Sequence, residues 1–270
     1  MAKDVDEFMK EPIRILHWGM TPSVGGMETF LIEIYKHIDR TKVQFDFLIA
    51  HDGSIAYEDE IRKLGGRIYR VTYNFKENPY LYTKALDVFF KAHKEIKGIH
   101  MHSCFIGYSK LLKVAKKNDV SIRIYHSHNS DNMYPNNNVL FRFLESYNKR
   151  CIKRNATDLF ACSQKAGKYM FDKSNFTVIK NAIDLEKFSY NINIRKTKRA
   201  ELGVDDKIVI GSVGRLQYQK NPLYIIDVFN EVHKKEKNTM LLMVGEGNLY
   251  AQIVNKIKEY KLEDSVKLLG

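Results

Sequence analysis

A chain of 270 residues with 44 basic and 32 acidic side chains carries a formal charge of +12 and is 44% hydrophobic. That composition suits one large or two modest globular domains and excludes a disordered or fibrous chain. No apolar run approaches the ~18–20 residues that span a bilayer, and the polar, acidic start MAKDVDEFMKEP does not read as a signal peptide, so a cytoplasmic location is expected.

Along the chain, strand-like apolar runs alternate with amphipathic helical stretches, the pattern of an α/β protein with parallel sheets covered by helices on both faces. Strands are predicted at 13–18, 43–50, 66–71, 96–102, 121–128, 158–163 and 176–181. Helices are predicted at 28–38, 55–64, 81–96, 107–118, 139–154 and 164–171. These make a complete doubly wound domain over residues 1–185. The polar stretch DLEKFSYNINIRKTKRAEL has no strand period, so 186–203 is expected to be a linker. From 204 to 270 the pattern restarts with IVIGSVG, a helix, MLLMVGEG, a second helix and VKLLG.

Cys104, Cys151 and Cys162 are odd in number and form no Cys-x-x-Cys pair, which reads as reduced, packed thiols. Cys104 lies near His102, but a nucleophile there has no identifiable third partner. The excess positive charge concentrates in Lys84–Arg123 and again in Arg142, Lys149, Arg150, Lys153 and Arg154. Solvated helix faces and a patch facing anionic lipid both fit it. Nucleic acid is not expected as a partner, because no recognised binding module accompanies the charge. FFKAHKEIKG and VLFRFLESYNKRCIKR interleave Phe and Leu with Lys and Arg as an interfacial helix does.

The strongest local signal is IVIGSVGRLQYQKN. Its apolar run ends in a turn at Gly214, and Arg215 and Lys220 follow just before an apolar helix. Two cations and free backbone N–H groups thereby converge where a diphosphate can be held. A second turn, with Gly25 and Gly26, joins the first strand to a helix opening at about Met27; it is not a G-x-G-x-x-G fingerprint. His100 and His102, then His126 and His128, form two His-x-His pairs at the ends of consecutive strands. Alternate residues share a face, so a metal site is one reading and a hydrogen bond from a neutral histidine to a sugar hydroxyl is another. The Asp4-Val5-Asp6 match lies in the polar N-terminal tail and not after an apolar strand, so a metal-bridged nucleotide is not indicated.

Gly-Arg-Leu with Lys220-Asn221, Gly25-Gly26-Met27-Glu28, Asn181-Ala182-Ile183-Asp184 with Phe188, and Val244-Gly245-Glu246-Gly247 together resemble, in order, the motifs of GT-B glycosyltransferases of family 4, the glycosyl transferases group 1. The resemblance runs from about Ile13 to the last residue. It implies two Rossmann-like domains facing a cleft, with the second incomplete here. Arg215, Lys220, Gly214, Gly25 and Gly26 would then hold the donor phosphates. His128 would contact the transferred sugar, with Asn129 as polar neighbour, and Glu28 would orient the glycine loop or the acceptor. Asn181 would cap a turn at the domain junction with Phe188 packed beneath it, although Ala182 stands where glycine is common. Gly245 and Gly247 would shape the nucleotide pocket.

The implied activity is retaining transfer of a sugar from a nucleotide-diphosphate sugar, needing no cofactor or metal. The implied acceptor is a saccharide or a lipid-linked one at the inner face of the plasma membrane, in bacterial capsule or exopolysaccharide synthesis. The alternatives are a noncatalytic partner subunit and a GT-B nucleotide-sugar epimerase. The family's glutamate pair for the donor sugar has no counterpart among these residues, so the parent chain is expected to continue for roughly 90–120 residues and this stretch to be inactive alone.

Overall fold

The computed structural model describes residues 11–71, 78–104, 106, 109–130, 139–172 and 174–270. They form two compact units, one extending to Leu185 and the other from Glu186 to Gly270. The Asp4-Val5-Asp6 match and the expected helix start at Gly107 lie outside the described residues.

In the first unit the chain runs β1 (Ile13–Trp18), α1 (Gly26–His37), β2 (Val43–Ile49), α2 (Glu58–Lys63), β3 (Ile68–Arg70), α3 (Pro79–Ala92) and β4 (Ile96–Ser103). It continues through α4 (Lys110–Lys117), β5 (Ile122–Ser127), α5 (Val139–Asn155), β6 (Asp158–Ala161), α6 (Gln164–Phe171) and β7 (Thr177–Val178). Helix starts follow local chemistry. The Asn78 side chain accepts from Leu81 N at 3.0 Å with Pro79 opening α3, and Ser163 Oγ accepts from Ala166 N at 3.1 Å at the start of α6.

The seven strands order as β3-β2-β1-β4-β5-β6-β7, every pair parallel. The order reverses direction between β1 and β4, the place where open α/β sheets leave a crevice at the carboxyl ends of their strands. Alternation along each strand feeds two cores. Leu16 and Leu48 join Leu86, Phe90, Leu112, Ile152 and Phe171 under α3 to α6, while Phe45, Phe47 and Ile49 meet Phe30, Leu31 and Ile61 under α1 and α2.

Phe90 is fully buried and Phe89 packs against the same core. FFKAHKEIKG is therefore the inner face of α3 running into β4, and not the interfacial helix its composition suggested. Tertiary packing claims the aromatic side and leaves the lysines, with Ala92 and Glu95, outside. Phe188, expected to pack under the domain junction, is 65% exposed with the Lys187 ammonium 5.6 Å from its ring centroid. Asn181 is exposed and makes no side-chain hydrogen bond among the described residues, so it caps no turn there.

In the second unit, α7 (Ile192–Leu202) precedes β8 (Ile208–Val213), α8 (Pro222–Lys235), β9 (Thr239–Val244), α9 (Tyr250–Glu259) and β10 (Val266–Leu268). The strands pair in the order β10-β9-β8, all parallel. Leu216, Ile226, Phe229, Leu241 and Ile253 fill one face, and Val204, Met240 and Leu242 the other. Residues 192–202, expected to be linker, are helical because Asn191 Oδ1 accepts from Asn193 N and Ile194 N, and Gly203 ends the helix in the left-handed conformation at φ 62°.

Between the start of β1 and the middle of β2, Arg14 Nε donates to Asp46 Oδ2 at 2.6 Å and Nη2 to Oδ1, and Arg67 N donates to Asp46 Oδ1 at 2.9 Å. Asp46 is fully buried and Arg14 is 7% exposed; hydrogen bonding to Asp46 raises the guanidinium pKa further. Removing one partner of such a pair leaves a buried charge uncompensated, which costs about 3–5 kcal/mol. Asp46→Ala is expected to lower unfolding free energy by that amount in urea titrations followed by circular dichroism, and a loss under about 1 kcal/mol would contradict the assignment.

Candidate active site

Five histidines gather where β1, β4 and β5 end. Parallel register sets His17 beside His100 and His102 beside His126, and His128 continues the β5 line with its N–H donating to Ser103 O at 2.9 Å. Their rings lie on the face covered by α1, whose Phe30 meets His126 and His128 edge-on at centroid distances of 5.5 and 5.7 Å.

Within the group runs a hydrogen-bonded line. His17 Nδ1 is 3.1 Å from His102 Nε2, and His102 Nδ1 is 2.9 Å from His128 Nε2. Each contact needs one protonated and one unprotonated nitrogen, so a neutral line carries its protons in a single direction. Beside it, both ring nitrogens of His126, and Nε2 of His17 and of His100, are buried without a hydrogen-bond partner. His126 and His100 are thus packed rather than hydrogen-bonded at those atoms, and His100 and His128 are the half-buried members of the group.

Burial keeps the rings neutral. It lowers His17 to about 3, His126 to about 2 and His128 to about 4, and holds His100 and His102 well below the ordinary value near 6.5, with neighbouring histidines reinforcing the shift in all but His128. His102 also lines a cavity of about 330 Å3 together with Trp18, Gly19, Thr21, Met27 and Cys104. Gly19 shapes this wall: at φ +125° any side chain is strained, and a Cβ would sit 2.4 Å from His102 O.

The glycine turn ahead of α1 belongs to the same end of the sheet. Glu28 is buried, and its Oε1 accepts from Thr21 Oγ1 at 2.7 Å. A Cβ on Gly25 would lie 2.7 Å from Glu28 Oε2, whereas Gly26 has open space around it. Glu28 therefore braces the loop. Asn129 is half-buried, with Nδ2 unpartnered.

In the second unit the turns after β8 and β9 lock together. Gly214 N donates to Val244 O at 2.9 Å, Leu216 N to Glu246 O at 2.8 Å and Leu249 N to Leu216 O at 3.0 Å. A Cβ on Gly245, at φ +137°, would lie 2.1 Å from Gly214 O, and one on Gly247 2.3 Å from Leu216 O. These two glycines fit turn to turn. Gly214 has no such neighbour, its nearest contacts being Lys220 Cγ and Cδ at 3.8 and 3.9 Å, so the protein itself does not require glycine there.

The locked turn presents Arg215 to solvent, and a short 3-10 turn at Tyr218–Lys220 presents Lys220 just ahead of α8. Among the described residues neither cation has an ion pair or a side-chain hydrogen bond. Unopposed exposed cations on a rigid turn at a helix start are suited to an anion.

Sequence reasoning paired the four histidines of β4 and β5 but missed His17, Thr21 and Phe30. The available signal for His17 was its place at the carboxyl end of the first strand, beside the point where sheet order reverses.

Because the unfolded histidines bind protons below about 6.5 and the folded ones do not, stability rises with pH across that range. The protein is expected to lose stability as pH falls from about 6.5 through about 4 toward the lower folded values, before Glu58, held near about 2 by Arg62, titrates. Urea midpoints measured from pH 7.5 to 4.5 check this. His126→Phe is expected to flatten the slope, and a flat parent profile would contradict neutral burial.

The sequence profile described as Glycosyltransferase Family 4 matches residues 24–187, and that described as Glycosyl transferases group 1 matches residues 194–270. EpsF of Bacillus subtilis (strain 168), a protein provisionally named a glycosyltransferase, is 30% identical over 264 residues, covering 95% of this chain and 68% of EpsF. The UDP-Gal:alpha-D-GlcNAc-diphosphoundecaprenol alpha-1,3-galactosyltransferase of Escherichia coli is 29% identical over 140 residues, 49% of this chain and 35% of that protein. Among solved structures, a glycosyltransferase from Rickettsia africae ESF-5 superposes with TM-score 0.73 at 16% identity, covering 97% of this chain and 69% of its own. Anabaena Alr3699/HepE in complex with UDP gives 0.71 at 19%, covering 95% and 69%. These likenesses show the GT-B fold.

Proposed function

The chain belongs to glycosyltransferase family 4, and from that premise we propose that its protein moves a sugar, with retention of configuration, from a nucleotide-diphosphate sugar to a saccharide or lipid-linked acceptor. The observation that carries the donor half is the pair of unopposed cations, Arg215 and Lys220, fixed by the interlocked turns of the second unit. Breaking the bond from the anomeric carbon to phosphate leaves charge on the diphosphate. A guanidinium fork and an ammonium already in place stabilise it without reorganisation. Fixed cations do the work a bridging metal does elsewhere, so donor binding needs no Mg2+ or Mn2+ in this reading.

In the first unit, His128 has Nε2 engaged by His102 and offers Nδ1 to a sugar hydroxyl. The Gly25-Gly26 turn offers backbone N–H groups at the start of α1, and Asn129 Nδ2 is a spare donor beside His128. Relatives support the substrate class: the E. coli protein's name carries UDP-Gal and a diphosphoundecaprenol acceptor, and HepE was solved with UDP. The setting we propose is bacterial surface polysaccharide synthesis at the cytoplasmic face of the membrane.

Helix α5 supports a membrane-facing acceptor. Val139, Leu140, Phe143, Leu144 and Tyr147 recur at helical spacing, and all are exposed, with Val139 at 80%. Arg142 and Arg150 flank them without an ion pair among the described residues, while Lys149 and Lys153 pair with Asp172. No helix among the described residues is long and apolar enough to cross a membrane. An apolar stripe turned outward between cations has the form of an interfacial helix.

Calorimetry with UDP and GDP in the presence of EDTA tests the donor site. Arg215→Ala is expected to cost ~1.5–3 kcal/mol, roughly ten- to a hundredfold in affinity, and Lys220→Ala less, since it supplies a point charge and not a fork. Unchanged affinity in both variants would remove the anion site. For the helix, sedimentation with vesicles is expected to show binding to anionic lipid that weakens with salt over a screening length of ~8–10 Å, and that falls in Phe143→Ser. Equal binding to neutral vesicles, or none to either, would return α5 to an ordinary surface helix.

A further inference from the structure

The histidine group is larger than contact with one sugar requires, and its unpartnered nitrogens have no account in the transfer reading. His102, His126 and His128 each offer a ring nitrogen within 4.8 Å of the others. His102 Nδ1 and His128 Nε2 already stand 2.9 Å apart with a single proton between them. The third residue, His126, is fully buried with both ring nitrogens unpartnered, so it presents a lone pair toward its neighbours in one tautomer or the other. An orphan polar group in a core is costly, and a cation at the centre of these rings would satisfy it.

We propose that His102, His126 and His128 form a three-histidine site for a first-row divalent cation of the zinc or cobalt class. Zinc–nitrogen bonds of ~2.0–2.1 Å place tetrahedral ligands ~3.3 Å apart, so the His102–His128 contact opens by a few tenths of an ångström when the metal replaces the shared proton. Imidazole-only donors suit zinc, copper, nickel or cobalt, whereas magnesium, manganese and calcium take carboxylate and carbonyl oxygen. This ion is therefore of a different class from one that would bridge a diphosphate, and the site is independent of the donor reading.

The tautomers close consistently. With His102 bound through Nδ1, its Nε2–H donates to His17 Nδ1 at 3.1 Å, the outer hydrogen bond that orients a metal-bound imidazole. With His128 bound through Nε2, its proton rests on Nδ1, and the ring becomes a fixed donor. His128 is half-buried while the other two are buried, so the fourth coordination position opens on its side. The alternative trio of His17, His100 and His102 shares one ligand with this set. It has the same burial, with His100 half-buried as His128 is, but His17 and His100 each leave only Nε2 unpartnered, whereas His126 leaves both ring nitrogens so.

The test is titration of the untagged, chelator-stripped chain with Co2+, read by the strong visible absorption of four-coordinate cobalt, followed by displacement with Zn2+. One equivalent is expected, with the band abolished in His126→Phe and, should that variant unfold, in the half-buried His128→Asn. His17→Phe is expected to weaken binding ~10–100-fold while keeping the band. Absence of a four-coordinate band overturns the proposal and leaves the line of histidines as a hydrogen-bonded relay. So does a band that survives in a folded His128→Asn, or one that depends on His100 and not on His126.

Discussion

Parallel pairing of β1 with both β2 and β4 is the constraint on which the first unit depends. A parallel strand needs a crossover, and crossovers of one hand carry α1 and α2 to one face and α3 to α6 to the other, so the chain must reverse its direction of progress at β1. That reversal splays the helices at the carboxyl ends of β1 and β4. Side chains there lie beneath the start of α1, whose Phe30 packs against the ring of His102. His17, His100 and His102 occupy those ends, and Gly19 lets the chain leave β1 close against the His102 carbonyl. The buried Arg14–Asp46 pair ties β1 to the middle of β2, next in register to His17, and apolar packing surrounds it.

The second unit achieves rigidity with backbone alone. Three hydrogen bonds link the turn after β8 to the turn after β9, and two glycines remove the Cβ atoms that would keep the turns apart. Arg215 gains a fixed backbone with no side-chain partner among the described residues. That combination sets it apart from the cations held in surface ion pairs, which spend their charge locally and contribute little. Asp87 with Lys91 and Lys117, or Asp172 with Lys149 and Lys153, show the ordinary case in the same molecule.

Burial acts on the two cation-bearing groups in opposite senses. Arg215 and Lys220 are exposed, whereas the histidines lose their charge to desolvation and become neutral donors and acceptors. Residues that all count as basic in the sequence therefore stand in two different electrostatic surroundings, exposed on the turns of the second unit and desolvated at the sheet ends of the first. The same distinction divides the basic helices. The aromatic side of α3 is absorbed into the core, while α5 turns its apolar stripe outward.

Much of this was legible in the amino-acid order itself, because hydrophobic period and turn chemistry are local. The alternation of strands and helices, the restart after the junction, the bounds of α6 and the Arg215–Lys220 turn all follow from residues within a few positions of one another. Asn191 and Gly203 were local signals too, and they make a helix of the stretch expected to be linker. What the order could not decide depends on pairing across long separations. His17 meets His102 across 85 positions, and only parallel register between β1 and β4 brings them together. The direction in which Phe90, Phe143 and Phe188 face is likewise fixed by which surface each helix or loop is pressed against, a property of the packed sheet and not of the segment that carries it.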